Sequence, residues 1–217
     1  MSRTSYVKIA SRILIYVLGL FLLAVGIAFS MNSNLGVSPI HSMPYVINII
    51  SHIPLGNCVI YMFCFYILLQ IILLRRNFKI INLTQIIFST IFGYFVEFTK
   101  WLIGDFSIPT YFGKLLMMGI SIIFIATGVM LYVEMQLVPM PMEGLTLALA
   151  ELTGISFPNV KVAVDCIVVT ISLLLSLFVL HGITGIREGT VITAMVTGKV
   201  IAAIRKPLVP PLQRICF

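Results

Sequence analysis

The sequence predicts an all-α integral membrane protein with six transmembrane helices and two re-entrant half-helices, arranged as two inverted-topology repeats of three spans each. Three observations carry that expectation. The 217-residue chain is 60% hydrophobic and 10% charged, with mean hydropathy +1.13. A water-soluble domain has no means of covering so much apolar area, so the solvent must be a bilayer. Apolar runs long enough for a hydrocarbon layer of about 30 Å recur along the chain. Two irregular segments rich in proline and polar residues, 34–57 and 136–159, sit between those runs in matching places.

The first run, 13–32, follows Arg3, Lys8 and Arg12. It is longer than the apolar core of a signal peptide, and no small-x-small cleavage pattern follows it, so it reads as a span. Next comes NLGVSPIHSMPYVINIISHIPLGN, residues 34–57. Pro39 suits the first turn of a helix, where a missing N–H costs nothing, and Ser38 is a good cap before it. Residues 39–52 would make a helix of about 20 Å at 1.5 Å per residue, too short to cross. A re-entrant half-helix fits, and a loop packed at the membrane interface is the competing reading. Spans follow at 58–74, 82–103 and 112–133. QLVPMPMEGLTLALAELTGISFPN then repeats the device, with Pro141 opening a half-helix over 141–153. Runs at 160–181 and 189–204 complete the set; the last is short and is interrupted by Arg187, Glu188 and Lys199.

The net charge of +7 is a topology signal. With six spans, Arg3, Lys8, Arg12, Arg75, Arg76, Lys79, Arg205, Lys206 and Arg214 share one face, against Lys100, Lys114 and Arg187 on the other. Cations concentrate on the cytoplasmic face, which places both termini there. If the two half-helices were full crossings, Arg75 and Arg76 would oppose the N-terminus. The four cysteines (58, 64, 166 and 216) show no CxxC spacing and read as small apolar filler, with no metal site or disulfide framework implied.

Sliding the chain by 102 residues aligns 26–57 with 128–159 without a gap and pairs Gly26 with Gly128, Leu35 with Leu137, Pro39 with Pro141, Ile53 with Ile155 and Asn57 with Asn159. A shift of 105 sets Gly93 on Gly198 in the closing spans. The chain therefore reads as a single membrane domain, 1–217, with repeats at about 7–104 and 110–206 and a basic cytoplasmic tail at 205–217. Three spans is an odd number, so the second repeat enters from the opposite side. Secondary transporters use such repeats to build two gates around one site. A duplication without transport is the alternative.

Half-helix N-termini carry free N–H groups and positive partial charge, and irregular backbone at membrane depth persists only beside protein or a polar cavity. His41 and Glu143 fall at equivalent first-turn positions. Glu143 is either a first-turn carboxylate at ease with its helix dipole or a proton- or cation-handling group; His41 is either structural or a ligand donor. With Ser38 and Thr146 they make the expected substrate-binding set, with Arg187 and Glu97 nearby. Arg187 either clamps an anion with two hydrogen bonds or pairs with Glu97 to close an outer gate. Asp165 and Lys199, both in the cytoplasmic third, read as a gating or structural ion pair, while Glu188 begins the last span at the outer end beside Arg187. Glu151 reads as solvated. In the last run Ala194, Gly198 and Ala202 form a small-residue stripe suited to close helix packing, flanked by Thr190, Thr193 and Thr197, which either line a path or bond their own backbone.

Phosphate-binding, metalloprotease, nucleophile-elbow and dinucleotide motifs are absent, so an enzyme, a cofactor and a nucleic-acid partner are not expected. The segments GIAFSMNSNLGVSP, VPMPMEGLTLALAELTGISFPNVKVAVD and GITGIREGTVITAMVTGK resemble the YczE/YyaS/YitT group of bacterial membrane proteins over most of the chain. That resemblance implies a multi-pass protein of the bacterial inner membrane. MPMEGLT stands where the YitT branch has a glycine-rich STGGTD-like form, so Glu143 replaces a small neutral residue. The expected function is a secondary transporter or exporter of a small polar, anionic organic solute, with a homodimer compatible with so small a chain. The alternatives are a substrate-binding membrane subunit docked on an ATPase, for which Gly19 and Ala24 would offer a coupling surface, and a non-transporting accessory protein.

Overall fold

A computed structural model describes the backbone of residues 3–155 and 157–216, and the side chains of 8–155, 159–213 and 216. The side chains of Arg3 and Arg214, two of the nine cations assigned to one face, lie outside the described residues. Among the described residues eight α-helices follow one another: α1 (Arg3–Asn32), α2 (Pro39–Ser51), α3 (Leu55–Leu74), α4 (Thr84–Ile103), α5 (Tyr111–Glu134), α6 (Pro141–Thr153), α7 (Phe157–Leu180) and α8 (Glu188–Cys216). Two short 3-10 turns, Arg75–Asn77 and Ile80–Leu83, join α3 to α4, and no strand occurs among the described residues.

Helices α1, α3, α4, α5 and α7 are long and apolar enough to span a membrane. α8 is long but carries Glu188, Lys199, Arg205 and Lys206. It also continues where a tail was expected, running to Cys216 through Pro207, Pro210 and Pro211. An interior proline forfeits a backbone hydrogen bond and crowds the preceding turn. Here Leu212 and Cys216 pack on the main core cluster, and that burial holds the extension helical against its local propensity.

The two short helices share one backbone design. Each is preceded by a left-handed residue, Asn34 (φ 55°) before α2 and Gln136 (φ 50°) before α6. Their N-cap residues are almost superimposable in dihedral space, Ser38 at −63°/152° and Met140 at −64°/154°. Both begin with a proline, last 13 residues, and stop at a left-handed residue, His52 (φ 57°) and Gly154 (φ 70°). The proline sets φ for the first turn, and the left-handed stop frees the chain to turn into the next helix.

α1 and α5 cross back to back. A Cβ on Gly128 would lie 2.6 Å from the Gly19 carbonyl oxygen, and one on Gly26 2.8 Å from the Ile125 nitrogen. Glycines let the two backbones approach where any side chain would hold them apart. Around that crossing the contacts are reciprocal. α2 packs on α7 and α6 on α3, while α4 lies against α1 and α8 against α5. Asn32 Nδ2 donates to the Gly104 carbonyl at 2.7 Å, bringing the ends of α1 and α4 together, and Arg12 Nη2 donates to the Met135 carbonyl at 2.6 Å, bringing the start of α1 to the end of α5. One pairing breaks the pattern: α3 is packed along α4, but among the described residues α7 is not packed along α8.

Candidate functional site

The first turns of α2 and α6 both border a cavity of about 320 Å³, whose lining is completed by residues of α1, α5, α7 and α8 and by the aromatic rings of Phe63 and Phe92. Proline opens each short helix, and the residue two positions on, His41 or Glu143, lines the cavity. His41 is 4% exposed, its Nδ1 lies 2.8 Å from the Ser38 Oγ, and its ring sits 6.0 Å from that of Phe92. Its Nε2 has no hydrogen-bond partner among the described residues. Glu143 accepts a hydrogen bond from the Tyr132 hydroxyl at Oε1 (3.3 Å), while Oε2 is buried and unpartnered. Thr197 Oγ1 on α8 is the third buried, unpartnered polar atom lining this space. A buried polar group left unpaired costs about 1–3 kcal/mol, and more in hydrocarbon, so three around one cavity define a polar site.

Glu143, Tyr132, Val129 and Lys161 also border a second recess of about 540 Å³, largely apolar, at the α5–α6 turn. These residues form the wall between the two spaces. Lys161 Nζ lies 2.5 Å from Asp165 Oδ1, one helical turn along α7, and the pair cancels most of its own charge at the cavity edge. In this cavity Glu143 and Asp165 therefore share one ammonium, and the ion pair of Lys161 is with Asp165. Residues 10–206 match the sequence profile of a family of unknown function, DUF6198. The chain belongs to that family. No curated protein matches it, and no solved structure does.

In this DUF6198 chain the cavity unites Ser38, His41 and Glu143 of the expected set. Four expectations are corrected. Ser38 occupies the N-cap position of α2, but its hydroxyl goes to His41 rather than to a backbone N–H. Thr146 is buried and donates to the Met142 carbonyl at 2.8 Å, the intrahelical bond a threonine makes when no better acceptor is near, and it does not line the cavity. Asp165 pairs with Lys161 rather than Lys199, because an i,i+4 partner on one helix is closer than any residue across an unpacked seam; Lys199 is exposed. Glu97 is not the partner of Arg187. Its Oε2 accepts from the Gly56 backbone N–H at 3.1 Å, satisfying a free donor in the first turn of α3.

Arg187 lies outside the cavity. It borders a separate small recess with Asn34 and Tyr45, donates from Nη1 to the Asn34 carbonyl at 3.1 Å, and pairs with Glu188 at 3.6 Å. Glu188 is accordingly an exposed end-of-helix partner, and the Gly189 N–H of α8 donates to the Leu35 carbonyl at 2.7 Å. Of the threonines, Thr193 and Thr197 line the cavity and Thr190 borders the α7–α8 cleft. Ala194, Gly198 and Ala202, expected to pack closely, are exposed. Sequence reasoning missed Tyr132, Lys161 and the buried amide pair Gln70–Gln85. Gln70 Nε2 donates to the Pro141 carbonyl at 2.9 Å and pins the start of α6 to α3 and α4. Two glutamines inside apolar helices, and a Lys–Asp spacing of four, were the signals available.

Proposed function

We propose that this chain is a secondary transporter of a small polar organic solute, working in the bacterial cytoplasmic membrane as two inverted repeats of three spans with both termini cytoplasmic. The observation that carries the reading is the cavity bounded by the first turns of α2 and α6, in which His41 Nε2, Glu143 Oε2 and Thr197 Oγ1 are buried without partners. Polar groups so placed at membrane depth are stabilised by a solute that binds them and leaves.

The repeat reading is supported by the shared backbone of α2 and α6 and by the reciprocal packing of α2 on α7 and α6 on α3. α8 is the sixth span in this reading, with Lys199 facing out and the α5 contact made through Met118, Ile122, Ile192 and Val200. The resemblance to the YczE/YyaS/YitT group fits the same location. Arg187 takes no part in binding here, so an anionic group of the solute would meet the α2 N-terminus and His41 instead.

The test is uptake and efflux in proteoliposomes holding this chain alone, with and without a proton gradient, on a pooled set of amino acids, carboxylates, amines and vitamins. The wild type is expected to move at least one compound, and Glu143→Gln to lower that flux at least tenfold while remaining monodisperse. Thr146→Ala, outside the cavity, is expected to keep it. Thermal stabilisation by a compound without flux would favour the ATPase-coupled binding subunit. Neither flux nor stabilisation would leave the accessory protein.

A further inference from the structure

We infer that the solute is a small zwitterion, bound with its cationic group at Glu143 and its anionic group at the first turn of α2 beside His41; this rests on the binding cavity proposed above. The two half-helices share one backbone, yet their matching first-turn positions carry unlike side chains. A helix N-terminus holds about half a positive charge. At α6 that charge is outweighed by Glu143, which lines the cavity and whose Oε2 is buried without a partner among the described residues. α2 has no acidic residue in its first turn, so its positive end stays uncompensated. The unpartnered Nε2 of His41 stands in the same turn, 96% of the residue being withdrawn from solvent at its 4% exposure.

In the tautomer whose Nδ1 accepts from the Ser38 hydroxyl, Nε2 carries the hydrogen and is a donor to an anion. The Lys161–Asp165 pair lines the cavity too, and with Glu143 it sets two carboxylates against one ammonium, so that side keeps a net negative charge. The cavity therefore has an electronegative end and an electropositive end, separated by apolar and aromatic walls that include Phe63, Phe92 and Ile125. A simple amine would satisfy Glu143 and leave the α2 end unpaired. A simple carboxylate would satisfy α2 and be repelled by Glu143. A molecule bearing both charges satisfies both, and at about 320 Å³ the space lies at the small end of ligand pockets of about 300–1,000 Å³.

The experiment compares the twenty amino acids with their decarboxylated amines and their deaminated acids, for example leucine, 3-methylbutylamine and 4-methylpentanoate. Thermal stabilisation of the detergent-solubilised protein and flux in proteoliposomes are both read. The expected result is that at least one zwitterion binds and moves at least tenfold better than both of its single-charge relatives. Glu143→Gln should remove the preference over the matched acid, and His41→Phe the preference over the matched amine, each without lowering the unliganded melting temperature by more than a few degrees. An amine, an acid or an uncharged compound that binds or moves as well as every zwitterion overturns the inference and leaves the transport reading standing. If no compound of any charge class binds or moves, the transport reading itself fails, and the zwitterion with it.

Discussion

The seam between α3 and α4 and the seam between α7 and α8 occupy matching places in the two halves of the chain, and they are opposites. A Cβ on Gly56 would collide with the Gly93 carbonyl, and one on Gly93 would lie 2.7 Å from the Gly56 carbonyl oxygen and run into Ile60. Glu97 ties the same seam by accepting from Gly56. Gly198, which a shift of 105 residues sets on Gly93 in the sequence, has nothing within 4 Å of a built Cβ among the described residues. A cleft of about 330 Å³ runs there, lined by Asp165, Cys166, Thr190 and Ala194. The same small residue is a weld in one half and a gap in the other. In the transport reading this is one of two alternating states, and the partner state would close on Gly198 and part at Gly93.

The largest expected effect comes from blocking the weld. Gly56→Leu has no space against the α4 backbone and is expected to prevent accumulation of folded protein, seen as loss of the monodisperse peak in detergent; Gly93→Ala should cost about 1–3 kcal/mol by overpacking. Next is the ion pair at the cavity edge. Lys161→Met leaves Asp165 without its cation beside an apolar wall and should lower thermal stability by about 1–3 kcal/mol, with Asp165→Asn in the same chain restoring most of it. Gly198→Ala tests the gap directly. It meets nothing and removes a glycine from a helix interior, so stability should hold or rise by up to about 1 kcal/mol. If Gly198→Ala destabilised as much as Gly93→Ala, the two seams would not differ as described. The smallest effect belongs to Arg205→Ala. Its bond to Glu134 is 2.7 Å, but Arg205 is 61% exposed, so the loss should stay under about 1 kcal/mol.

Much of the architecture was legible in the sequence because length and apolarity decide which segments cross a bilayer. The prolines at 39 and 141 marked both half-helices to within a residue of their observed starts. The end of α8 was not legible, since three prolines argue against a helix and only the packing of Leu212 and Cys216 explains its persistence. His41 and Glu143, which border one cavity, stand 102 residues apart at equivalent positions, and that spacing paired them in the sequence. The ion-pair assignments failed because sequence separation says nothing about which helices part. Lys199 and Asp165 lie on the two sides of the open seam, and Arg187 and Glu97 answer to different backbone groups. Tyr132 escaped notice because a tyrosine in an apolar run reads as filler until its hydroxyl is seen on Glu143.

In the transport reading Thr197 would report on alternation more directly than any flux, because its hydroxyl is buried at the cavity on the helix that borders the open seam. The measurement is the labelling of Thr197→Cys, in a chain whose four cysteines are replaced, by a membrane-impermeant maleimide applied to each face of oriented vesicles. Two half-helices around one alternately exposed site predict modification from both faces, each rate slowed by a bound zwitterion. Modification from one face only, whatever the gradient or solute, would contradict the account and leave the α7–α8 gap as a fixed feature of the fold.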